Sequence, residues 1–344
     1  MNRTGVLLVN LGTPASPSPR DVRRYLREFL SDPLVIDIPA LPRWLLLNLI
    51  ILPFRPRKSA AAYAKIWTAA GSPLLVHGEA LRNAVASELG AGYEVELAMR
   101  YGEPSVRGAV ERLMARGVSR WLVLPLFPQY SAAATQSATD AVRRELARVS
   151  NTAPVMIVDA FHDDPGFIAA FAEIARRSLD DFHPEHVLFS YHGLPERQVR
   201  NADESGVHCL VSDECCDVLA DINRNCYRAQ CFATTRALAS ALDLGPDDHS
   251  LAFQSRLGRT PWIRPYTDEV LPELAKRGVK RLAVVCPAFV ADCLETLEEI
   301  AMRGSEQWRE LGGGELRLVP SLNAEPAWVR AVAALIRTRA AAPL

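Results

Sequence analysis

GVLLVNLGTP, residues 5–14, returns in outline as HVLFSYHGLP, residues 186–195. Each is a short apolar run that ends in a polar side chain, a glycine and a proline turn. A second pair, ARGVSRWLVLPLFP (115–128) and KRGVKRLAVVCPAF (276–289), follows in the same order. Runs this apolar suit strands buried on both faces of a parallel sheet. Two matches in one order imply two similar halves, 1–165 and 166–344.

Further strand candidates are 94–99, 120–126, 155–160, 250–254, 281–286 and 315–320. Helical patterns at 106–115 and 268–277 complete βαβ units. The expected fold is therefore α/β: two Rossmann-like halves, each a parallel sheet flanked by helices, with a cleft between them. Ligands of such sheets lie beyond the C-terminal ends of the strands. The residues that follow each strand carry the functional argument.

Composition narrows the classes. The chain is 49% hydrophobic and 23% charged, enough to fold around a core and too apolar for disorder. A net charge of −1 gives no basic excess for nucleic acid. The apolar run Val6–Val9 is too short for a signal segment, so a cytoplasmic, thiol-reducing setting is expected. Five of the seven cysteines fall between Cys209 and Cys231. In a reducing setting such a group points to metal or cluster ligation, not to disulfides.

The segment 41–58 is apolar at LPRWLLLNLIILPF and basic at Arg55, Arg57 and Lys58. It is too short to span a bilayer, which needs ~20 apolar residues. Two readings stay open: a core helix, or a helix that dips into the membrane interface with Trp44 at headgroup level.

Three features stand at strand ends. His192 follows VLFSY. In the acidic helix 291–303, Asp292, Glu295 and Glu299 are spaced to share one helical face, opposite Leu294, Leu297 and Ala301. Such a line could relay a divalent cation or protons. The loops MRYGEPS (99–105) and FQSRLGRTPW (253–262) offer Arg100, Tyr101, Arg256, Arg259 and Trp262. Arginines suit ligand carboxylates and aromatic rings suit a flat apolar body.

With these motifs together, the sequence resembles the ferrochelatases, which insert Fe²⁺ into a porphyrin. The blocks LLVNLGTP, YAKIWTAAGSPLL (63–75), LPLFPQYSAA (124–133), FSYHGLPER (189–197), FQSRLGRTPW and CPAFVADCLETLEEI (286–300) carry the resemblance across nearly the whole chain. It implies a chelatase-like fold, catalytic His192 and Glu295, and metal contacts at His192, Glu295 and Glu299. Asn10, Leu11, Arg100, Tyr101, Tyr130, Ser131 and Trp262 are the implied porphyrin contacts. Arg303 stands where many members keep a further acid, and Cys293 where some keep His. The implied reaction forms protohaem from protoporphyrin IX and Fe²⁺ with release of two protons. Coproporphyrin III as substrate, and a non-catalytic porphyrin carrier with a redox-sensing cluster, are the alternatives. Segment 41–58 matches the family's apolar lip, implying peripheral contact with the inner face of the cell membrane.

About 20 residues beyond those of cluster-free relatives follow HGLPER, within 201–231, and they carry the cysteines. The insertion resembles that of microbial ferrochelatases with a [2Fe–2S] cluster, which needs four thiolates. Cys209, Cys226 and Cys231 are the expected ligands, with Cys216 preferred over Cys215 for the fourth. A Zn²⁺ site uses the same residue types. The polar insertion offers little apolar surface, so a bound metal is expected to order it.

Overall fold

A computed structural model describes residues 3–258 and 260–341. Arg259, one of the candidate cations, lies outside the described residues. The chain divides into two compact units. The first holds residues 1–127, 132–160 and 323–344; the second holds 128–131 and 161–322.

Unit one is built on β1 (Thr4–Gly12), β2 (Tyr93–Tyr101), β3 (Arg120–Pro125) and β4 (Val155–Ile157) in the order β2-β1-β3-β4. All pairs are parallel. Val6, Leu7, Leu8 and Val9 have no exposed surface, as their continuous apolar run requires. One face packs on the helices Val106–Ala115 and Ser137–Arg148, where Trp121, Val110, Leu113 and Val142 form a common core. Ser105 starts the first of these helices by accepting the Gly108 N–H. The C-terminal helix Pro326–Ala341 also belongs to this unit and packs on the helix Pro73–Leu89.

Unit two repeats the plan. Its strands β5 (His186–His192), β6 (His249–Gln254), β7 (Arg281–Val285) and β8 (Glu315–Leu318) lie in the order β6-β5-β7-β8, all parallel. The same permutation in both sheets is the structural form of the sequence repeat. Leu188, Leu282, Val284 and Trp308 centre the core beneath the sheet. Chain order reverses across the sheet between β5 and β7, which makes their C-terminal ends the place for a ligand.

Two expectations change in the structure. The segment 41–58 is not a core helix. It forms the helix Ala40–Leu45, a π-helical stretch Leu46–Ile51 and the start of the helix Leu52–Ile66. Leu47 and Leu52 are buried, but Leu41 is 68% exposed, Leu49 60% and Phe54 75%. Too many consecutive positions are apolar for all of them to face one core. Nor is 291–303 one amphipathic helix. Its regular part is the π-helix Glu295–Gly304, and Asp292 lies ahead of it. The Asp292 carboxylate is buried, accepting from the Thr296 hydroxyl at 3.1 Å and the Ser321 N–H at 3.3 Å. A stripe drawn at α-helical spacing therefore loses its first member.

Among the described residues no helix is long and apolar enough to cross a membrane.

Candidate active site and cysteine lobe

In unit two, β5 delivers His192 at its last position, in register with Gln254 at the end of β6. Gly193 N–H donates to the Gln254 carbonyl at 2.8 Å, and a Cβ on Gly193 would meet that oxygen at 2.9 Å and the Trp262 ring at 3.2 Å. Glycine is thus needed here for close approach. The imidazole Nδ1 lies 2.6 Å from the Gly193 carbonyl. A carbonyl only accepts, so Nδ1 carries the proton and the lone pair is on Nε2. Trp262 and Phe289 flank the ring, each with its centroid 6.4 Å away. Trp262 is fixed by its indole N–H, which donates to the Leu257 carbonyl at 3.0 Å.

Gln254 joins the strand ends to the acidic helix. Its side-chain oxygen accepts from the buried Ser190 hydroxyl at 2.7 Å, and its amide donates to the Glu295 carbonyl at 3.1 Å. Beside it, Ser255 has φ +67° and gives both its N–H (2.9 Å) and its hydroxyl (2.6 Å) to the Glu299 carboxylate. Glu295 and Glu299 are partly exposed. Glu298 is buried and pairs with Arg303 at 2.8 Å, so the arginine neutralises an acid other than Glu299.

Two buried thiols accompany these acids. Burial pushes the Cys293 thiol well up, and the neighbouring Glu295 carboxylate adds to the shift. Cys286 is raised by burial too, with the Asp292 and Glu299 charges next. Burial disfavours the thiolate at both positions, as it does at Cys216 and Cys231.

Tyr130 and Ser131 also fall in unit two. The Tyr130 N–H donates to the Gln230 side chain at 2.6 Å, and Gln129 donates to Thr234 at 3.0 Å. Arg256 is engaged with Asp268 at 2.7 Å and stacks over Tyr266.

The other candidates lie at strand ends of unit one. Asn10 is buried in β1, with its side-chain oxygen accepting the Leu11 N–H. Arg100 and Tyr101 both bond Asp32, at 2.5 Å and 2.9 Å, and Ser137 donates to the same carboxylate at 2.6 Å. Burial alone would raise the Asp32 pKa; the bonds from Ser137, Leu34 N–H and Tyr101 and the Arg100 charge outweigh it and hold it low.

The cysteine lobe follows the short helix Glu196–Asn201. All five thiols are buried and free. Burial is the leading cause that raises the Cys209 and Cys231 thiols, and it also raises Cys216, where the neighbouring Cys226 comes first. The Cys215 and Cys216 sulfurs are 3.7 Å apart, and the Leu210 N–H points at Cys215 Sγ from 3.3 Å. The lobe also has a polar frame. Asp203 accepts from the N–H groups of Ser205, His208 and Cys209, and Asn223 binds Ala220 N–H and the carbonyls of Cys215 and Val218. These short-range bonds replace the apolar packing the segment lacks. Among the described residues no three His, Cys, Asp or Glu side chains close up as a metal-holding group. Buried thiols are the donor type that an iron–sulfur cluster or zinc takes, but as placed they do not close around one.

Gln254, Ser255, Phe289 and Tyr227 were not among the residues read as site members. The first three sit inside the quoted blocks, but nothing in their spacing marks them as partners of Glu295, Glu299 and His192.

Comparison with known proteins identifies the family. The ferrochelatase family model matches residues 3–340. A ferrochelatase of Coxiella burnetii (strain CbuG_Q212) is 49% identical over 98% of this chain and 94% of its own length. One of Legionella pneumophila (strain Lens) is 47% identical over 97% of this chain and 98% of its own. Among solved structures, SirB from Bacillus subtilis with Fe³⁺ superposes with a TM-score of 0.54 at 14% identity, covering 98% of this chain and 96% of its own; this likeness concerns the fold alone. With its motifs, its doubled parallel sheet and its match over nearly the full length, the chain belongs to the ferrochelatase family.

Proposed function

We propose that this chain inserts Fe²⁺ into protoporphyrin IX and releases two protons, the metallation that yields protohaem. The observation that carries the reading is the imidazole at the end of β5, with Nδ1–H held by the Gly193 carbonyl and Nε2 left basic between Trp262 and Phe289.

Free porphyrin holds two pyrrole N–H protons, and both must leave as iron enters. Neutral imidazole is a suitable acceptor near pH 7. In the proposed path His192 Nε2 takes a proton at the ring face, and Glu295 and Glu299 serve iron entry and proton exit. Nitrogen and oxygen donors hold Fe²⁺ without the grip of thiolates, so the ion can be handed on. Trp262 and Phe289 offer apolar faces against which a flat macrocycle can be held and bent. Asn10, Leu11, Arg100, Tyr101, Tyr130 and Ser131 complete the proposed porphyrin contacts. Asp32 and Ser137 fix the Arg100 fork.

Cys209, Cys216, Cys226 and Cys231 are the proposed holders of a [2Fe–2S] cluster, the five buried thiols of the lobe supporting thiolate ligation there. The cluster would tie the insertion together, with no part in metallation. Segment 41–58, with its exposed apolar residues, is proposed to rest on the cytoplasmic face of the cell membrane.

The deciding experiment is metallation by His192→Ala with Fe²⁺ and protoporphyrin IX, and in parallel with coproporphyrin III. Loss of insertion with porphyrin binding retained is expected. Near-wild-type turnover would remove His192 from the mechanism.

A further inference from the structure

Beside the exposed apolar segment, unit one has a cavity of about 460 Å³ between the helices Pro19–Ser31 and Ala40–Leu45. Arg27, Ser31, Arg43, Trp44, Leu47 and Asn48 line it. We propose that it receives the phosphate-bearing headgroup of an anionic phospholipid, a reading that rests on the membrane contact proposed for 41–58.

Three observations lead there. First, the cavity has two cations and no carboxylate in its lining. Arg43 is held in place by the carbonyls of Ile36 and Ile38, at 3.2 and 3.0 Å, which orient its guanidinium without neutralising it. Arg27 is exposed and has no ion pair or hydrogen bond from its side chain to a described residue. Second, the cavity opens beside apolar surface. Trp44 is 57% exposed, and Leu41, Leu45, Leu49, Ile50 and Phe54 are exposed with it. A ligand that satisfies both parts has an anionic head and apolar tails. Third, the charge is local. Residues 19–58 carry Arg20, Arg23, Arg24, Arg27, Arg43, Arg55, Arg57 and Lys58 against Asp21, Glu28, Asp32 and Asp37, in a chain of net charge −1. Asp32 is already committed to Arg100. The basic excess lies in the same stretch of chain as the exposed apolar residues, and an anionic bilayer is complementary to both. The volume is within the range of small-molecule pockets.

The test is co-sedimentation of the full chain with phosphatidylcholine vesicles and with vesicles that also contain phosphatidylglycerol. Each arginine charge near such a surface is worth about fivefold in affinity, so Arg27→Glu should cost roughly 25-fold on the anionic vesicles. It should change little on neutral ones. Arg236→Glu, an exposed charge reversal in unit two, should have a much smaller effect. Leu49→Ser/Phe54→Ser should lose both kinds of vesicle. Equal binding to neutral and anionic vesicles, or equal losses from Arg27→Glu and Arg236→Glu, would overturn the headgroup site while the membrane contact stands. No vesicle binding at all would overturn both. Tight binding of inorganic phosphate without vesicles would make this a soluble-anion site and overturn the lipid assignment. So would a wild-type dimer, seen by sedimentation velocity, that Leu49→Ser/Phe54→Ser makes monomeric.

Discussion

The Tyr227 hydroxyl donates a 2.9 Å hydrogen bond to the main-chain carbonyl of His192. Tyr227 is the first residue of the helix Tyr227–Ala241, directly after Cys226. One buried side chain thus connects the cysteine lobe to the turn that presents the imidazole. The lobe and the turn that carries His192 share a backbone anchor.

Tyr227→Phe keeps the ring and removes that anchor. Loss of one such bond is worth about 1 kcal/mol, so kcat should fall roughly fivefold with KM for porphyrin near the wild-type value. A merely structural role would lower the folded fraction and leave kcat per folded molecule unchanged. Steady-state kinetics normalised to folded protein distinguish the two.

Glu295→Gln should impair iron insertion severely and Glu299→Gln less so. Ser255→Ala should resemble a mild Glu299 variant, because the Ser255 hydroxyl supplies one of the two bonds that aim that carboxylate, the Ser255 N–H the other. Fe²⁺ titrations of the initial rate check this. Equal and slight effects from all three would reduce the acids to a solvated face.

Single Cys→Ser replacements at 209, 215, 216, 226 and 231 should separate ligands from bystander. Iron and acid-labile sulfide should be lost in four variants and kept in Cys215→Ser. Because the polar frame around Asp203 and Asn223 is independent of the thiols, the lobe should resist proteolysis in part even after cluster loss. Zinc without sulfide in the wild type would replace the cluster by a zinc site.

His186 opens β5 and is buried, with Nε2 3.0 Å from the Ser250 hydroxyl. Burial, and then the Arg277 charge, push its pKa down to about 4. The neutral ring is the form that folds, so its stabilising share is whole above the unfolded value near 6.5. It declines as pH falls from there through about 4. The amount is on the order of 2–3 kcal/mol. Urea midpoints of the wild type should drop more steeply between pH 7 and 4 than those of His186→Gln; parallel curves would exclude this residue as the cause.

The sequence by itself determined the elements and their doubling. All eight strands overlap the predicted ranges, and β1, β3, β5 and β7 are the near-continuous buried runs, because a strand covered on both faces must be apolar at nearly every position. The repeat GVLLVNLGTP/HVLFSYHGLP became the central strands β1 and β5 of two sheets with one strand order. His192 was legible as a strand-end residue for the same reason. Tertiary structure alone decided the partners. Ser255 holds Glu299, Gln254 reaches the Glu295 carbonyl and Tyr227 reaches the His192 carbonyl across tens of residues, and no local pattern encodes a contact made only when separate strands come into register. It also decided which apolar residues of 41–58 stay outside, and it broke the acidic stripe. There a π-helical winding and a buried Asp292 replaced the α-helical spacing that periodicity assumes. Side-chain periodicity reports the face a regular element would bury; which element forms, and what lies opposite, is settled by packing.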